Sequence, residues 1–260
     1  MTRIIALTNN KGGVAKTTST LNIASGLRNH GKKVLMIDLD SQASLTISLG
    51  VQPEQFINTS IVQVLEETLD IKNTILSFNN GLYLIASNKF LKDTNNKIAN
   101  KHFKEFILKK QIDKIKDNFD YILLDCPPSI NNLTINGLMA SNEVFIPIAS
   151  EYLALTGAGQ LIDEINELKE GNNDLKITGL FVTRYDGRRN LDSQVHEVLK
   201  EQYGDLVFDT KINTNVAIAE APSHQKDIFS YSPNSQGAID YENLVKEILK
   251  MEVKKWKNKL

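Results

Sequence analysis

Cysteine and tryptophan are scarce in this chain, with one of each among 260 residues. A single cysteine excludes a disulfide framework within the chain and is typical of proteins from a reducing compartment. No run of about 18 apolar residues is present, so the sequence predicts no membrane-spanning helix. Because the sequence enters an apolar strand pattern directly, we expect no signal peptide and a cytoplasmic location.

A surplus of charge of one sign is also lacking, because 30 basic residues stand against 31 acidic ones and the formal net charge is −1. Any contact with nucleic acid must therefore come from a local basic patch rather than from the overall charge. The sequence contains no internal repeat, low-complexity tract or linker. Its length suits one α/β domain with a substantial core, so we expect residues 1–260 to form a single domain.

The most informative stretch is a glycine-rich turn, which follows the apolar run 4–7 and precedes an amphipathic segment. This order predicts a strand, a phosphate-binding loop and a helix. Aligned with the pattern G-x-x-x-x-G-K-[ST], the turn reads N-K-G-G-V-A-K-T, with Asn10 and Ala15 at the two outer glycine positions. The loop is therefore a variant of the pattern, and it carries two lysines, Lys11 and Lys16, instead of one.

The chemistry of this turn suits a nucleoside triphosphate with Mg²⁺. Gly12 and Gly13 lack a Cβ, so backbone N–H groups can point at phosphate oxygens, which the helix N-terminus also faces. We predict that Lys16 holds the β- and γ-phosphates and that Thr17 places its hydroxyl on Mg²⁺. The alternative is an ordinary turn with two surface lysines. Nucleotide contacts are predicted for Lys11, Gly12, Gly13, Val14, Ala15, Lys16, Thr17 and Thr18.

Carboxylates follow two further apolar runs, which read as buried parallel strands. The run 34–37 is followed by Asp38 and Asp40, and the run 121–124 by Asp125. Because ligands bind outside the carboxyl ends of such strands, we expect all three beside the phosphate loop. Asp125 is predicted to lie near Mg²⁺ through its water shell, and another aspartate to orient water for attack on the γ-phosphate. Alternatively, Asp38 and Asp40 cap the short helix predicted over 43–49.

Strand and helix patterns alternate along the whole chain. This alternation indicates the α/β class, with a doubly wound, mostly parallel sheet flanked by helices on both faces. A last helix is predicted over about 237–256, with Ile239 and Leu244 among its buried residues. Further strands are predicted over 82–85, 144–148, 175–182 and 206–208, and a polar connection over 89–100.

Four motifs resemble the ParA/MinD superfamily, whose deviant Walker A motif carries the early lysine. They are K-G-G-V-A-K-T-T at 11–18, D-L-D-S-Q at 38–42, D-C-P-P-S at 125–129 and E-A-P-S at 220–223. The resemblance implies that Lys11 reaches across an ATP-bound sandwich dimer to the partner's phosphates. It also implies that Asp40 positions the attacking water and that Asp38 supports the metal site. Asn213 and Asn215 are implied to lie near adenine.

The third and fourth motifs resemble the ParA type more than the MinD type. They imply a plasmid or chromosome partition ATPase that uses ATP and Mg²⁺ and is weakly active alone. In such proteins an ATP-bound homodimer binds nonspecific DNA on the nucleoid, and a ParB-like centromere-binding partner stimulates hydrolysis and release. The alternatives are a MinD-like ATPase that associates with membranes and a ParA-like protein that positions another cargo.

The DNA-contacting residues are expected in two places. The resemblance places an arginine matching Arg188 on the DNA face, and Arg189 beside it suits phosphate contacts. Positions 214 and 217, which commonly carry DNA-binding arginines in the family, carry none here. The basic C-terminal segment, with Lys254 and Lys255, either replaces those arginines, lies on an anionic membrane or complements the dipole of the last helix.

Overall fold

The structure, a computed structural model, describes residues 2–78 and 81–257, without the side chains of residues 152–153 and 253–257. One sheet forms its centre, with strand order β3-β4-β2-β5-β1-β6-β7. Every neighbouring pair is parallel except β3 and β4 at one edge. The predicted doubly wound, mostly parallel α/β sheet is confirmed. The strands are β1 (Arg3–Leu7), β2 (Val34–Asp38), β3 (Ile75–Phe78), β4 (Leu82–Ile85), β5 (Tyr121–Asp125), β6 (Glu143–Ala149) and β7 (Lys176–Thr183).

Helices follow most strands and cover both faces of the sheet. No helix in the described part of the chain is long and apolar enough to cross a bilayer. The helices are α1 (Lys16–Asn29), α2 (Ser44–Ser48), α3 (Ile61–Glu66), α4 (Leu91–Ile98), α5 (Ile107–Ile112), α6 (Asn132–Ala140), α7 (Tyr152–Leu168), α8 (Asn190–Tyr203), α9 (Val216–Glu220), α10 (Ile228–Tyr231) and α11 (Gln236–Lys257).

The two faces of the sheet build two hydrophobic core clusters, because successive strand residues point to opposite sides. In β1, Ile4 and Ala6 belong to one cluster, which includes apolar residues of α3 to α8. Ile5 and Leu7 belong to the other, which includes apolar residues of α1 and α11. Because both faces are covered, the central strands are continuous apolar runs without polar alternation.

The carboxyl ends of the central strands meet at one edge of the sheet. In the parallel registers Leu7 pairs with Asp125, and Asp38 pairs with the same Asp125. The glycine-rich turn leaves β1 at this level, beside the carboxyl end of β5 and one strand further from β2. This register brings the turn and both aspartates together although they lie far apart in sequence.

At the amino ends of the central strands, Arg3 is buried and connects β1 to α11. Its guanidinium donates two hydrogen bonds of 2.7 Å to the Glu143 carboxylate and one of 2.8 Å to the carbonyl of Ile248 in α11. The Tyr121 hydroxyl donates to Glu252 of the same helix. These contacts join the amino ends of β1 and β5 to α11, and that of β1 to β6.

Three local predictions were wrong. The segment 89–100 is no plain connection, since it contains α4, which buries Leu91 and Ile98 at helical spacing. Segment 206–208 forms no strand, because only Val207 pairs with β7, in an isolated bridge. In α11 Leu244 is buried as predicted, but Ile239 is 47% exposed, since the buried stripe passes through Tyr241 instead.

Candidate nucleotide site

The glycine-rich turn between β1 and α1 is fastened to two neighbouring strands. Asn9 is buried, and its amide group donates to the carbonyl of Pro147 in β6 at 2.8 Å. Its side-chain oxygen accepts the backbone N–H of Lys11 at 2.9 Å. On the other side, the Thr183 hydroxyl donates to the carbonyl of Val14 at 3.2 Å. The turn is therefore held in shape by the ends of β6 and β7.

Two residues of the turn have left-handed backbone conformations. Gly13 has φ +74° and Ala15, just before α1, has φ +65° and ψ +31°. Glycine adopts this region freely, whereas the Cβ of alanine makes it unfavourable by about 1–2 kcal/mol. Ala15 therefore occupies a position whose backbone favours glycine, as the sequence pattern indicates.

Lys16, the first residue of α1, is only 8% exposed. Its ammonium group donates to the carbonyl of Lys11 at 2.9 Å, so the side chain runs back along the turn. Burial lowers the pKa of Lys16, and the negative charge of Asp125 opposes this shift. The buried amine faces the turn, where the predicted phosphate contact requires a positive charge.

Asp125 is a buried carboxyl group with few hydrogen-bond partners among the described residues. The residue is 1% exposed, and its Oδ2 has no hydrogen-bond partner among the described residues. Its Oδ1 accepts a long hydrogen bond of 3.4 Å from Thr20. Burial, and next the charge of Asp38, raises the pKa of Asp125, while the Thr17 hydroxyl and Lys16 lower it. An unpaired buried carboxylate oxygen is unfavourable unless a cation or water meets it, so these residues fit Mg²⁺.

Asp38 is fully buried, and both of its carboxylate oxygens accept hydrogen bonds from the loop and helix α2 that follow it. One oxygen accepts both the N–H and the hydroxyl of Thr46, at 2.9 and 2.7 Å, and the other accepts the N–H of Asp40 at 3.1 Å. Burial raises the pKa of Asp38, whereas the Thr46 hydrogen bonds lower it. The structure thus brings Asp38 beside Asp125 and uses its carboxylate to shape the loop that carries Asp40. Its support of the metal site remains a prediction.

Asp40 lies at the mouth of the site, half-buried, on a tightly turned loop. Its carboxylate accepts the N–H of Gln42 at 2.9 Å, and its carbonyl accepts the Ser87 hydroxyl at 2.6 Å. Its negative charge, like that of Asp125, opposes the lowering of the Lys16 pKa by burial. The next turn passes through Ala43, whose φ of +53° is also left-handed.

Lys11 is exposed, unlike Lys16, and its ammonium group donates to the carboxylate of Glu151 at the amino end of α7. This contact lowers the pKa of Glu151, whose carboxylate is half exposed. Gly12, Gly13 and the flanking Asn10 are exposed as well. Lys11 therefore stands at the open side of the turn, directed away from its own helix.

The two asparagines predicted to contact adenine lie on a segment that pairs with the chain just after β7. The Asn213 side chain donates to Asp240 of α11 at 2.8 Å, and the same carboxylate oxygen accepts the backbone N–H of Asn213. The Asn215 side chain accepts the N–H of Ala217 and caps α9. Both side chains fix their own segment, and their contact with adenine remains a prediction.

The predicted DNA residues are only partly described. Arg188 and Arg189 are exposed on the loop after β7, and both guanidinium groups lie near Asp186, at 2.8 and 3.8 Å. Arg188 holds the pKa of Asp186 well below its usual range. The side chains of Lys254 and Lys255 lie outside the described residues. Some lysines of α4 and the segment after it form ion pairs, among them Lys97 with Glu66 and Lys101 with Glu67.

Sequence reasoning assigned no individual role to four residues that contact the turn or its lysines: Asn9, Glu151, Thr183 and Arg184. All lie at or just after the ends of β1, β6 or β7. The rule that ligands gather at the carboxyl ends of parallel strands was applied to the strands that end in aspartate. Applied to β6 and β7 as well, it would have indicated the other three.

A mostly parallel sheet with a glycine-rich turn leading from the central β1 into α1 defines the class of P-loop ATPases. A family model described as an AAA domain matches residues 2–177. The chain belongs to the ParA/Soj-type partition ATPases of the ParA/MinD family.

Two relatives show the extent of this similarity. The sporulation initiation inhibitor protein Soj of Bacillus subtilis is 39% identical over 250 residues, covering 95% of this chain and 98% of that protein. The chromosome-partitioning ATPase Soj of Treponema pallidum is 37% identical over 251 residues, covering 96% of this chain and 98% of that protein. The similarity therefore extends over nearly the whole chain.

Two solved structures are similar as well. One is named cobyrinic acid a,c-diamide synthase from Mycobacterium smegmatis, with bound ATP analog and magnesium; it has TM-score 0.84 and 32% identity, covering 96% of this chain and 95% of that one. The other is a putative plasmid partition protein from Borrelia burgdorferi bound to AMPPNP, with TM-score 0.82 and 28% identity, covering 96% of this chain and all of that one. Both structures carry adenine nucleotides.

Proposed function

We propose that residues 1–260 form a single ATPase domain that partitions DNA by switching, with ATP and Mg²⁺, into a DNA-binding homodimer. The observation that carries this proposal is that the two lysines of the turn differ in burial and direction. Lys16 is buried and faces its own turn, whereas Lys11 stands exposed at the open side. An exposed amine beside a phosphate site can serve a second, facing chain once it leaves the carboxylate of Glu151.

Hydrolysis would use the side chains gathered at the carboxyl edge of the sheet. Lys16 neutralises charge on the terminal phosphates of its own nucleotide, and Lys11 does so for the partner's nucleotide. Thr17 and Asp125 would hold Mg²⁺, which when bound would neutralise negative charge on the nucleotide. Asp40, on its own loop at the mouth of the site, orients the attacking water.

A partner protein and DNA would act on this switch from outside the site. We infer that the ATP-bound dimer binds nonspecific DNA through Arg188 and Arg189, on the nucleoid in the cytoplasm. A ParB-like partner bound at a centromere then stimulates hydrolysis and releases the dimer. Cationic assistance in other NTPases raises the rate by about 10³–10⁵-fold, which sets the range available to such a partner. Chromosome or plasmid partition is favoured over the synthase name of the mycobacterial structure, because the Soj relatives match at higher identity.

The decisive experiment is nucleotide-dependent binding to nonspecific duplex DNA, measured by fluorescence anisotropy with ATP, with ADP and without nucleotide. We expect ATP alone to support binding, with affinity falling steeply as salt rises. Cosedimentation with anionic liposomes is the parallel assay. Binding to liposomes but not to DNA would replace the proposal by a membrane-associated function, and binding to neither would contradict both.

A further inference from the structure

Arg184, the residue directly after β7, has an unusual backbone for a long side chain. Its φ of +54° lies in the left-handed region, which glycine adopts without strain and other residues avoid. Strained residues persist where the surrounding structure fixes them, and they cluster at ligand sites. Together with Ala15 and Ala43, Arg184 is one of three left-handed residues other than glycine in the described part of the nucleotide site.

The strained backbone aims the guanidinium group at the phosphate-binding turn. Its Nη2 lies 3.6 Å from the position that a Cβ on Gly13 would occupy. Arg184 is exposed, and within the described residues its side chain forms no hydrogen bond or salt bridge. Its charge contributes to the lowered pKa of Glu151 nearby. A guanidinium held beside a phosphate-binding turn with its donors unused is suited to bind an anionic ligand.

The segment around Arg184 indicates which part of a nucleotide it would meet. The next residue, Tyr185, accepts a hydrogen bond from Thr214 and donates one to Ile212, at 2.9 and 3.0 Å. Arg184 therefore lies between Gly13 of the phosphate-binding turn and the segment 212–215, which is predicted to lie near adenine. In a nucleotide that spans these two elements, the ribose and the α-phosphate connect the phosphates to the base.

We propose that Arg184 is a nucleotide-binding residue, which contacts the nucleotide held by its own chain at the ribose and α-phosphate. This inference rests on the proposed ATPase function and adds a third cation to the two lysines of the turn. Because ADP and ATP share this part, the contact contributes equally to both. It differs in this respect from Lys11 and Lys16, whose predicted partners are the terminal phosphates.

Three variants of the full-length chain test the proposal by titration with ADP and with ATP in the presence of Mg²⁺. Arg184→Gly removes the side chain and relaxes the backbone, so the variant is expected to fold. Arg184→Gln keeps the length without the charge, and Arg184→Lys keeps the charge without the planar donors. The matched control is Lys211→Gln, because Lys211 lies over the Tyr185 ring at 5.4 Å and carries the same charge.

We expect the Gly and Gln variants to bind ADP and ATP about tenfold or more weakly, by the same factor for both. The Lys variant should recover part of the affinity, and the control should bind as the wild type does. The urea midpoint without nucleotide should be unchanged or higher for Arg184→Gly.

Three results would overturn this role for Arg184: unchanged affinity in the Gly and Gln variants, a loss confined to ATP, or an equal loss in the Lys211 control. If the wild type bound neither nucleotide, the proposed ATPase function itself would be refuted.

Discussion

Lys11 donates a hydrogen bond to Glu151 within one chain, although 140 positions separate the two residues. In the proposed dimer, Lys11 must leave this carboxylate to reach the partner's phosphates. The ion pair therefore competes with dimer formation. Both side chains are about half exposed, and exposed ion pairs contribute about 0.2–1 kcal/mol.

Replacing Glu151→Gln should therefore tighten ATP-dependent dimerisation by up to about thirtyfold, because each of the two subunits no longer has to break this ion pair and the side chain at position 151 keeps its size. Analytical ultracentrifugation with a nonhydrolysable ATP analogue measures the dimer dissociation constant. Glu67→Gln is the control, because Glu67 pairs with Lys101 at an exposed site elsewhere. A weaker dimer in Glu151→Gln would show that this carboxylate supports the dimer instead of opposing it.

Asp125→Asn should make the nucleotide-free protein less sensitive to pH. Because the folded-state pKa of Asp125 is raised, the folded chain binds its proton more strongly than the unfolded chain does. The free energy of unfolding of the wild type should therefore fall as pH rises from the ordinary carboxyl range near about 4 towards 8. The variant should lose less over this range, whereas Asp117→Asn, an exposed control, should follow the wild type.

The same Asp125→Asn variant should lose Mg²⁺-dependent nucleotide affinity, because the amide carries no charge for the cation. Chemical unfolding at several pH values and titration with nucleotide, each with and without Mg²⁺, measure the two effects. An Asn variant with wild-type Mg²⁺ dependence would remove Asp125 from the metal site.

Asp40→Ala should bind ATP and dimerise yet fail to hydrolyse, because the variant keeps the phosphate contacts and loses the group that orients water. The change also removes the hydrogen bond to Gln42, so nucleotide affinity must be measured alongside turnover. Single-turnover hydrolysis and size-exclusion chromatography with ATP are the assays. Hydrolysis at the wild-type rate would exclude Asp40 from the mechanism.

Ala15→Gly should raise the free energy of unfolding by about 0.5–1 kcal/mol. Relief of the left-handed strain, about 1–2 kcal/mol, exceeds the entropy that a new glycine adds to the unfolded chain, about 0.4–1 kcal/mol. Urea denaturation measures the change. Ala99→Gly should destabilise instead, since Ala99 has φ −54°. If Ala15→Gly lowered stability as much as the control, the alanine methyl group would have to contribute through packing.

Arg188→Glu should weaken binding to all DNA sequences alike and reduce the slope of log affinity against log salt by about one per lost phosphate contact. Arg188 is 90% exposed, so the change should leave the fold intact. Lys97→Glu is the charge-matched control at the α4 surface, where Lys97 already pairs with Glu66. Equal slopes for the wild type and Arg188→Glu would move the DNA surface elsewhere.

The fold and the core of the candidate site could be predicted from sequence because both depend on local patterns. Apolar runs identified β1, β2 and β5, and the rule for carboxyl ends of parallel strands placed Asp38 and Asp125 beside the turn. The same rule, applied to β6 and β7, indicates the region of Glu151 and Arg184 but not the individual contacts of their side chains. They join the turn to strands about 140–170 positions later. They also depend on backbone dihedral angles that sequence patterns do not specify.

Surface assignments were harder for a similar reason. A run of lysines does not show whether each amine meets a carboxylate, and only the structure pairs Lys97 with Glu66 and Lys101 with Glu67. The helix α4 was missed because polar residues dominate its composition: its buried face consists of Leu91, Thr94 and Ile98, of which two are apolar.

The buried contacts of Arg3 have a consequence for synthesis on the ribosome. β1 emerges first and leads directly into the nucleotide-binding turn, but the guanidinium at its base is completed by Glu143 and by the carbonyl of Ile248. In a growing chain, the buried guanidinium of Arg3 lacks one of its hydrogen-bond acceptors until α11 has left the exit tunnel. Truncated products that lack the last helix should then be recognised as unfinished by the cell's proteases, even though every predicted catalytic residue is present in them.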